Sequence, residues 1–354
     1  MRDEATADRG APRPNLAAVA ALAGVSASTA SLAFSGAGPV SDATKARVLA
    51  AAETLNYAGP DPRARSLRRG RSGIVGVVIE DRLSDAFRDP MNIAMLDGIT
   101  DETGSAGLAL LLLTDTGEAT DISVAPMDAV VLIGCSTRLD QSVVTLRQRG
   151  IPIVAIEAVH MPDVVAIDLD NRQATRRGAE HLRDLGHTRV AIVSLPLDPE
   201  HTRGPLTSDR EAASSAFTAT ERIRGARDVF ADIGGFVAAG SLIEEGEIAA
   251  LALLDVADRP TAIIAQSDLL AVGVIRAAER LGLRVPDDLS VLGFDGARID
   301  GLAPHELTTL RQPAVEKGRA AGRAILASLA GEPARDAAFE SELHLGTTTG
   351  PTPR

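Results

Sequence analysis

From Gly73 to the C-terminus the sequence keeps returning to one alternation: a short, nearly unbroken apolar run, then a stretch with helical spacing. The runs are "GIVGVVIE", "LALLLLT", "DAVVLIG", "IPIVAIE", "VVAID", "RVAIVS", "TAIIAQSD" and "LSVLGFD". Stretches such as "MNIAMLDGITDETGSAG" and "LLAVGVIRAAERLG" separate most of them. A strand that is apolar on both faces must be covered on both faces. Helices crossing over a parallel sheet provide that cover. Eight such runs over roughly 280 residues predict two α/β lobes rather than one. Aromatic residues make up 2% of the chain, with no Trp and one Tyr (Tyr57), so the cores must be built from Ala, Leu, Val and Ile.

The N-terminal part follows a different pattern. Asn15 can cap a helix over "LAAVAALA", and Gly24 can end it in the left-handed conformation. Ser26 then caps a second helix. "SGAGPV" breaks the chain, and Ser41 caps a third helix, "DATKARVLAAAETL", with Val48, Ala52 and Leu55 on one face. Two helices joined by a Gly-containing turn and packed on a third make a helix-turn-helix arrangement. Ala20, Leu22, Val25 and Ala30 are the expected packing residues. The second helix, in "GVSASTASLAF", is unusual: four of its eleven residues are Ser or Thr and none is charged. An ordinary surface helix uses Glu, Lys and Arg. A small neutral face instead lets a helix enter a DNA major groove about 12 Å wide. Its hydroxyls and exposed N–H groups can then bond phosphates.

The charge distribution supports a nucleic-acid module on a different kind of body. The net charge of −12 argues against a polyanion partner for the chain as a whole. Residues 1–72, however, hold ten Arg/Lys against six Asp/Glu, and residues 73–354 hold 26 against 42. Residues 1–14 lack apolar periodicity and are expected to form a disordered arm. "YAGPDPRARSLRRGRSG" reads as a linker containing a short helix signal, with Asp61 as cap and Pro62 at the first helical position. The single Cys, Cys135, rules out an intrachain disulfide. No apolar run approaches the roughly 20 residues of a membrane helix. The polar start "MRDEATADRGAP" does not resemble a secretory signal. A soluble, cytoplasmic protein with no membrane partner is the expectation.

"VAALAGVSASTASLAFSGAGPVSDATKARVLAAAETLNY" resembles the head of the LacI/GalR family of transcriptional regulators. The resemblance continues through "HLRDLGHTRVAIVS", "TAIIAQSDLLAVG", "RVPDDLSVLGFDG" and "LTTLRQP". It implies an N-terminal all-α helix-turn-helix head at 15–60 and a hinge helix at 61–72. A two-lobed α/β effector-binding and dimerisation domain follows at 73–354. That domain is similar to periplasmic binding proteins, with parallel sheets and three chain crossings. It further implies phosphate contacts from Ser26, Thr29 and Ser31 and base-facing positions at Ala27, Ser28 and Leu32. Asn15, Leu16, Ser35 and Tyr57 complete the DNA face. The family often carries Arg or another long polar residue at position 32. Leu32 can meet a thymine methyl group but cannot bond guanine. In the hinge, Ala64, Arg65, Leu67 and Arg68 are the implied DNA contacts, with Leu67 as the minor-groove wedge.

The same resemblance implies a ligand cleft at the carboxyl ends of the strands, where α/β sheets bind ligands. Asp89, Asp168, Thr218, Arg222, Asp268 and Asp295 are its expected effector-binding residues. Carboxylates and an Arg suit a polyhydroxylated, sugar-like molecule. The implied partners are double-stranded operator DNA, a small-molecule effector and a second copy of the chain. No HExxH, phosphate loop or GxSxG elbow is present, and the six His are scattered, so neither an enzyme nor a cofactor is expected. His187, in "LGHTR", is expected to cap helix carbonyls. The reading is a repressor controlled by its effector. A solute-binding protein without a DNA role and an activator of the same family are the alternatives.

Overall fold

Each of the three N-terminal helices begins at a side-chain cap in the computed structural model. The structure describes residues 14–36, 38–59, 70–79, 86–114, 122, 125–134, 140–299 and 302–353. Its contacts divide the chain into two compact units, Met1–Ser72 and Gly73–Arg354.

In the first unit α1 spans Leu16–Ala23, α2 Ala27–Ser35 and α3 Asp42–Thr54. Asn15 Oδ1 accepts from the Ala18 amide at 3.0 Å, and Ser26 Oγ from that of Thr29 at 3.1 Å. Gly24, at φ 66°, turns the chain so that α1 and α2 are bent by 102°. Val19, Ala20, Ala23, Ala30, Ala33, Val48, Ala51 and Ala52 are buried between the helices. Tyr57 closes this core by an edge contact with Phe34, ring centroids 5.8 Å apart. One packing expectation fails: Leu22 is 55% exposed. The inward stripe of α1 runs through Leu16, Val19, Ala20 and Ala23, and helical spacing places position 22 off it.

The second unit begins with β1 (Ile74–Ile79), α4 (Pro90–Ser105), β2 (Ala109–Thr114), β3 (Ala129–Ile133), α5 (Asp140–Gln148), β4 (Ile153–Ile156) and β5 (Val165–Leu169). It continues with α6 (Asn171–Asp184), β6 (Val190–Ser194), β7 (Gly204–Pro205), α7 (Ser208–Ala212), α8 (Phe217–Arg227), β8 (Gly234–Val237) and α9 (Ile243–Leu254). The last elements are β9 (Ala262–Ala265), α10 (Asp268–Arg280), β10 (Ser290–Asp295), β11 (Thr308–Arg311), α11 (Ala314–Ala330), β12 (Ala337–Phe339) and β13 (Glu342–His344).

The strands form two sheets. The first has the order β12-β5-β4-β3-β1-β2 with every pair parallel. The second has the order β13-β11-β10-β9-β6-β8-β7, parallel except at its antiparallel edges β13 and β7. The expected two-lobed parallel α/β fold is therefore present, and each of the eight apolar runs contributes a strand. The chain leaves the first lobe after β5, returns between β11 and α11, and leaves again between β12 and β13. Ser341 N donates to Asp170 Oδ1 at 2.8 Å, tying the third crossing to the first. Among the described residues no single helix is long and apolar enough to cross a membrane.

Helix α11 lies against α4 at backbone distance. A Cβ on Gly98 would sit 2.0 Å from the Val315 carbonyl oxygen, and one on Gly318 2.1 Å from that of Met95. Neither backbone can yield without parting the helices. Gly98→Ala is therefore expected to destabilise the second unit by about 1–3 kcal/mol, measured by urea denaturation. An unchanged midpoint would refute this packing.

Candidate functional site

The exposed face of α2 carries Ala27, Ser28, Leu32 and Ser35, with Thr29 and Ser31 half-buried beside them. Ser26 organises its start. Its Oγ lies 2.8 Å from both Ser28 Oγ and Thr29 Oγ1, besides accepting the Thr29 amide. The result is a cluster of hydroxyls at a helix N-terminus, where the helix dipole is positive and favours an anion. Leu32 is 36% exposed, and a Cβ on Gly38 would come within 3.0 Å of it. Asn15 is exposed, whereas Leu16 and Tyr57 are half-buried against the helical core. Ala64, Arg65, Leu67 and Arg68 lie outside the described residues.

In the second unit a cavity of about 180 Å³ opens at the carboxyl ends of the strands. The first lobe lines it with Ile79, Asp89, Met91, Met95, Ile156 and Glu157. The second lobe contributes Thr218, Arg222, Ser241, Ser267 and Asp295, and Gln312 enters from the second crossing. Asp89 caps α4 by accepting the Met91 amide at 2.8 Å. Thr218 Oγ1 donates to the Glu157 carbonyl at 3.3 Å. Four of the six expected residues, Asp89, Thr218, Arg222 and Asp295, thus come together on one cavity.

Arg222 is held from several sides. Its Nε donates to Asn171 Oδ1 at 2.8 Å, and Nη1 donates to the Gln266 carbonyl. Its guanidinium lies over the Phe294 ring, 3.5 Å from the centroid. Glu157 and Asp295 stand 3.8 and 3.9 Å away, close enough for charge attraction but beyond hydrogen-bond length. Glu157 itself accepts from Lys317 and, at 2.8 Å, from Asn171. Burial opposes its ionisation. The charges of Lys317 and Arg222, with hydrogen bonds from Lys317 and Asn171, outweigh that and hold its pKa below the usual carboxylate value.

Two expected residues sit elsewhere. Asp168 pairs with His160 at 2.8 Å and is not on the cavity. Asp268 is fully buried, accepting from Thr309 at 2.6 Å and from the Ala297 amide at 2.7 Å. The cap of α10 is Ser267, which accepts the Leu270 amide at 3.2 Å and faces the cavity. Asp268, one position on, turns toward β11. His187 also departs from expectation. Its backbone meets Leu182, but its ring bonds the hydroxyls of Thr261 and Ser290 and the Gly350 carbonyl.

Burial pushes the pKa of Asp268 up to about 7, against hydrogen bonds that favour its charged form. Asp295 is also raised, by burial and by Asp268 and Asp89, although Arg222 and a 2.6 Å bond from Gln312 oppose this. The consequence for stability has a definite sign. Between about pH 4 and pH 7 the folded chain keeps a proton on Asp268 that the unfolded chain has lost. Unfolding then releases a proton, so rising pH destabilises the fold by at most about 1.4 kcal/mol per unit. Glu157 acts in the opposite sense, in acid only. Asp268→Asn is expected to flatten the fall in Tm between about pH 5 and pH 7. The same slope in the variant would place that proton elsewhere.

The residues that sequence reasoning missed form the support of this site: Glu157, Asn171, Gln312 and Lys317. Lys317 is fully buried and bonds both Glu157 and Gln312. Glu157 ends the run "IPIVAIE" at φ 54°, and Gln312 lies in "LTTLRQP". A charged residue closing an apolar strand was the available signal for Glu157. Lys317 had none.

Comparison with known proteins matches two patterns. Residues 15–59 match the lacI family of bacterial regulatory proteins, and residues 179–349 match the periplasmic binding protein-like domain. The HTH-type transcriptional regulator IpsA of Corynebacterium glutamicum is 31% identical over 95% of this chain and 97% of its own. Among solved structures, a LacI-family transcriptional regulator from Corynebacterium glutamicum superposes with a TM-score of 0.71 at 27% identity, covering 94% of this chain and 98% of that one. The transcriptional regulator CelR in complex with cellobiose does so with a TM-score of 0.65 at 25% identity, covering 95% and 100%.

Proposed function

The chain belongs to the LacI family and is a DNA-binding transcriptional regulator rather than an enzyme, and from that premise we propose that it is a homodimeric repressor released or retained by a neutral, polyhydroxylated effector. The observation that carries the reading is the cavity lined from both lobes, with Arg222 and Asp295 among its lining residues. A ligand that bonds both lobes stabilises one lobe arrangement over another. It shifts the population of DNA-competent dimers by its differential affinity. Cellobiose in the CelR complex is a ligand of that class.

On the DNA side, α2 lies in the major groove. Ser26, Thr29 and Ser31 meet phosphates, while Ala27, Ser28 and Leu32 face base edges. Asn15, Leu16, Ser35 and Tyr57 flank that contact. Leu32 selects thymine methyl groups. In the hinge, two copies of Leu67 enter the minor groove, with Ala64, Arg65 and Arg68 beside them. The test is electrophoretic retardation of the DNA upstream of the protein's own gene, with and without a panel of neutral sugars and polyols. Retardation as a dimer, altered by one panel member, is expected. Leu67→Ala is expected to weaken that complex about tenfold or more, which an unstacking contact of a few kcal/mol allows. Failure to retard the fragment, or a single-subunit mass in solution, refutes the reading.

A further inference from the structure

The segment joining β6 to α8, residues 195–216, contributes two polar atoms to the cavity that lack partners. His201 Nδ1 lies 3.0 Å from the Ala239 carbonyl oxygen. That oxygen can only accept, so Nδ1 carries the proton, and a neutral ring keeps an open lone pair on Nε2. Among the described residues Nε2 has no hydrogen-bond partner. Ser215 Oγ is buried and has none either. Both residues line the cavity that holds Arg222. Buried polar groups in folded proteins are almost always hydrogen-bonded, so the buried Ser215 Oγ on a cavity wall points to a ligand atom, and the half-buried His201 lines the same cavity.

The backbone supports the same conclusion. His201 has φ 54°, a region that L-residues avoid. The Asp198 turn keeps it there: the His201 amide donates to the Asp198 carbonyl at 3.1 Å, and the Thr202 amide to Asp198 Oδ1 at 3.0 Å. Arg210 braces this turn through the carbonyls of Thr202 and Pro205 and through Asp198 Oδ2 at 3.5 Å. A strained residue fixed by its neighbours, presenting an unused acceptor to a cavity, marks a binding position.

We infer that His201 and Ser215 form a second recognition arm for the effector, accepting hydroxyl protons in addition to the bonds made by Arg222 and Asp295. The inference rests on the effector reading above and narrows it. An acceptor-rich wall requires a ligand rich in donors. Asp89, Asp198, Asp295 and Glu157 add carboxyl oxygens to the same lining, which suits a ligand that presents several hydroxyl groups. Met91, Met95 and Ile79 offer an apolar wall to C–H groups. The ligand class is a polyhydroxy compound, and Asp198 is a positioning residue that acts through His201.

The test is calorimetric titration of the full chain with D-glucose, D-galactose, D-xylose, D-sorbitol and cellobiose. The tightest binder is then taken with its monodeoxy analogues. His201→Asn tolerates the left-handed backbone, Ser215→Ala removes the hydroxyl, and Arg222→Met probes the cavity itself. Each arm variant is expected to raise Kd by about tenfold, the scale of one lost ligand hydrogen bond. Wild type should reject one monodeoxy analogue that His201→Asn no longer distinguishes from the parent. Asp198→Ala should lose the same discrimination. If Arg222→Met loses binding while both arm variants stay within about twofold of wild type, the arm is refuted and the effector reading stands. Weaker binding with full discrimination retained assigns His201 a structural role and also refutes it. If none of the five compounds binds wild type, both readings fall together.

Discussion

Lys317→Met is expected to destabilise the Gly73–Arg354 unit by about 3–5 kcal/mol. Lys317 is fully buried on α11, and its ammonium bonds Glu157 at the end of β4 and Gln312 at the second crossing. Methionine fills much of the same volume, so little of the loss comes from a void. What changes is charge. Glu157 keeps Asn171 at 2.8 Å and Arg222 at 3.8 Å, but loses the one cation in direct contact with it. An ionised carboxylate left without that partner in a dry site is costly. The double variant Glu157→Gln/Lys317→Met removes both charges and should recover much of the stability, a coupling that a double-mutant cycle in urea reads directly. A loss below about 1 kcal/mol for Lys317→Met would mean that water reaches this pair.

Arg222→Met is expected to weaken effector binding by about 100-fold and to abolish the ligand-dependent change in DNA retardation. Asn171, the Gln266 carbonyl and the Phe294 ring fix the guanidinium before any ligand arrives. Little side-chain entropy is therefore left to lose on binding. Two charge-assisted hydrogen bonds at about 1.5 kcal/mol or more each correspond to that factor. Arg222→Lys keeps the charge but loses the planar fork and the stack on Phe294, so it should lose most of the affinity too. Titration of the wild type and both variants with the same sugar checks this. Wild-type affinity in either variant would remove Arg222 from the site.

Both effects originate in contacts that no local pattern announces. Glu157 and Asn171 are 14 residues apart, and Glu157 and Lys317 are 160 apart. By contrast, the eight apolar runs became β1 to β6, β9 and β10, whereas sequence reading passed over the two-residue β7. It also passed over β8, β11, β12 and β13. Those strands are two to four residues long, and β8 opens with two glycines. Strands that short are selected by the edge they pair with rather than by their own composition. The helix caps were legible because Asn15, Ser26 and Ser41 act on amides three residues away.

The order of elements and the division into a basic helical head and an acidic α/β body follow from the sequence alone, because periodicity, caps and composition are local properties of a chain. The tertiary structure alone decided which carboxylates share a cavity. It placed Asp89 and Asp295 on one cavity with Arg222, and it turned Asp268 away into the core, where its proton stays on to about pH 7. The state of a charged group depends on how much water it has lost and which charges stand near it, and both are set by residues far away in the sequence.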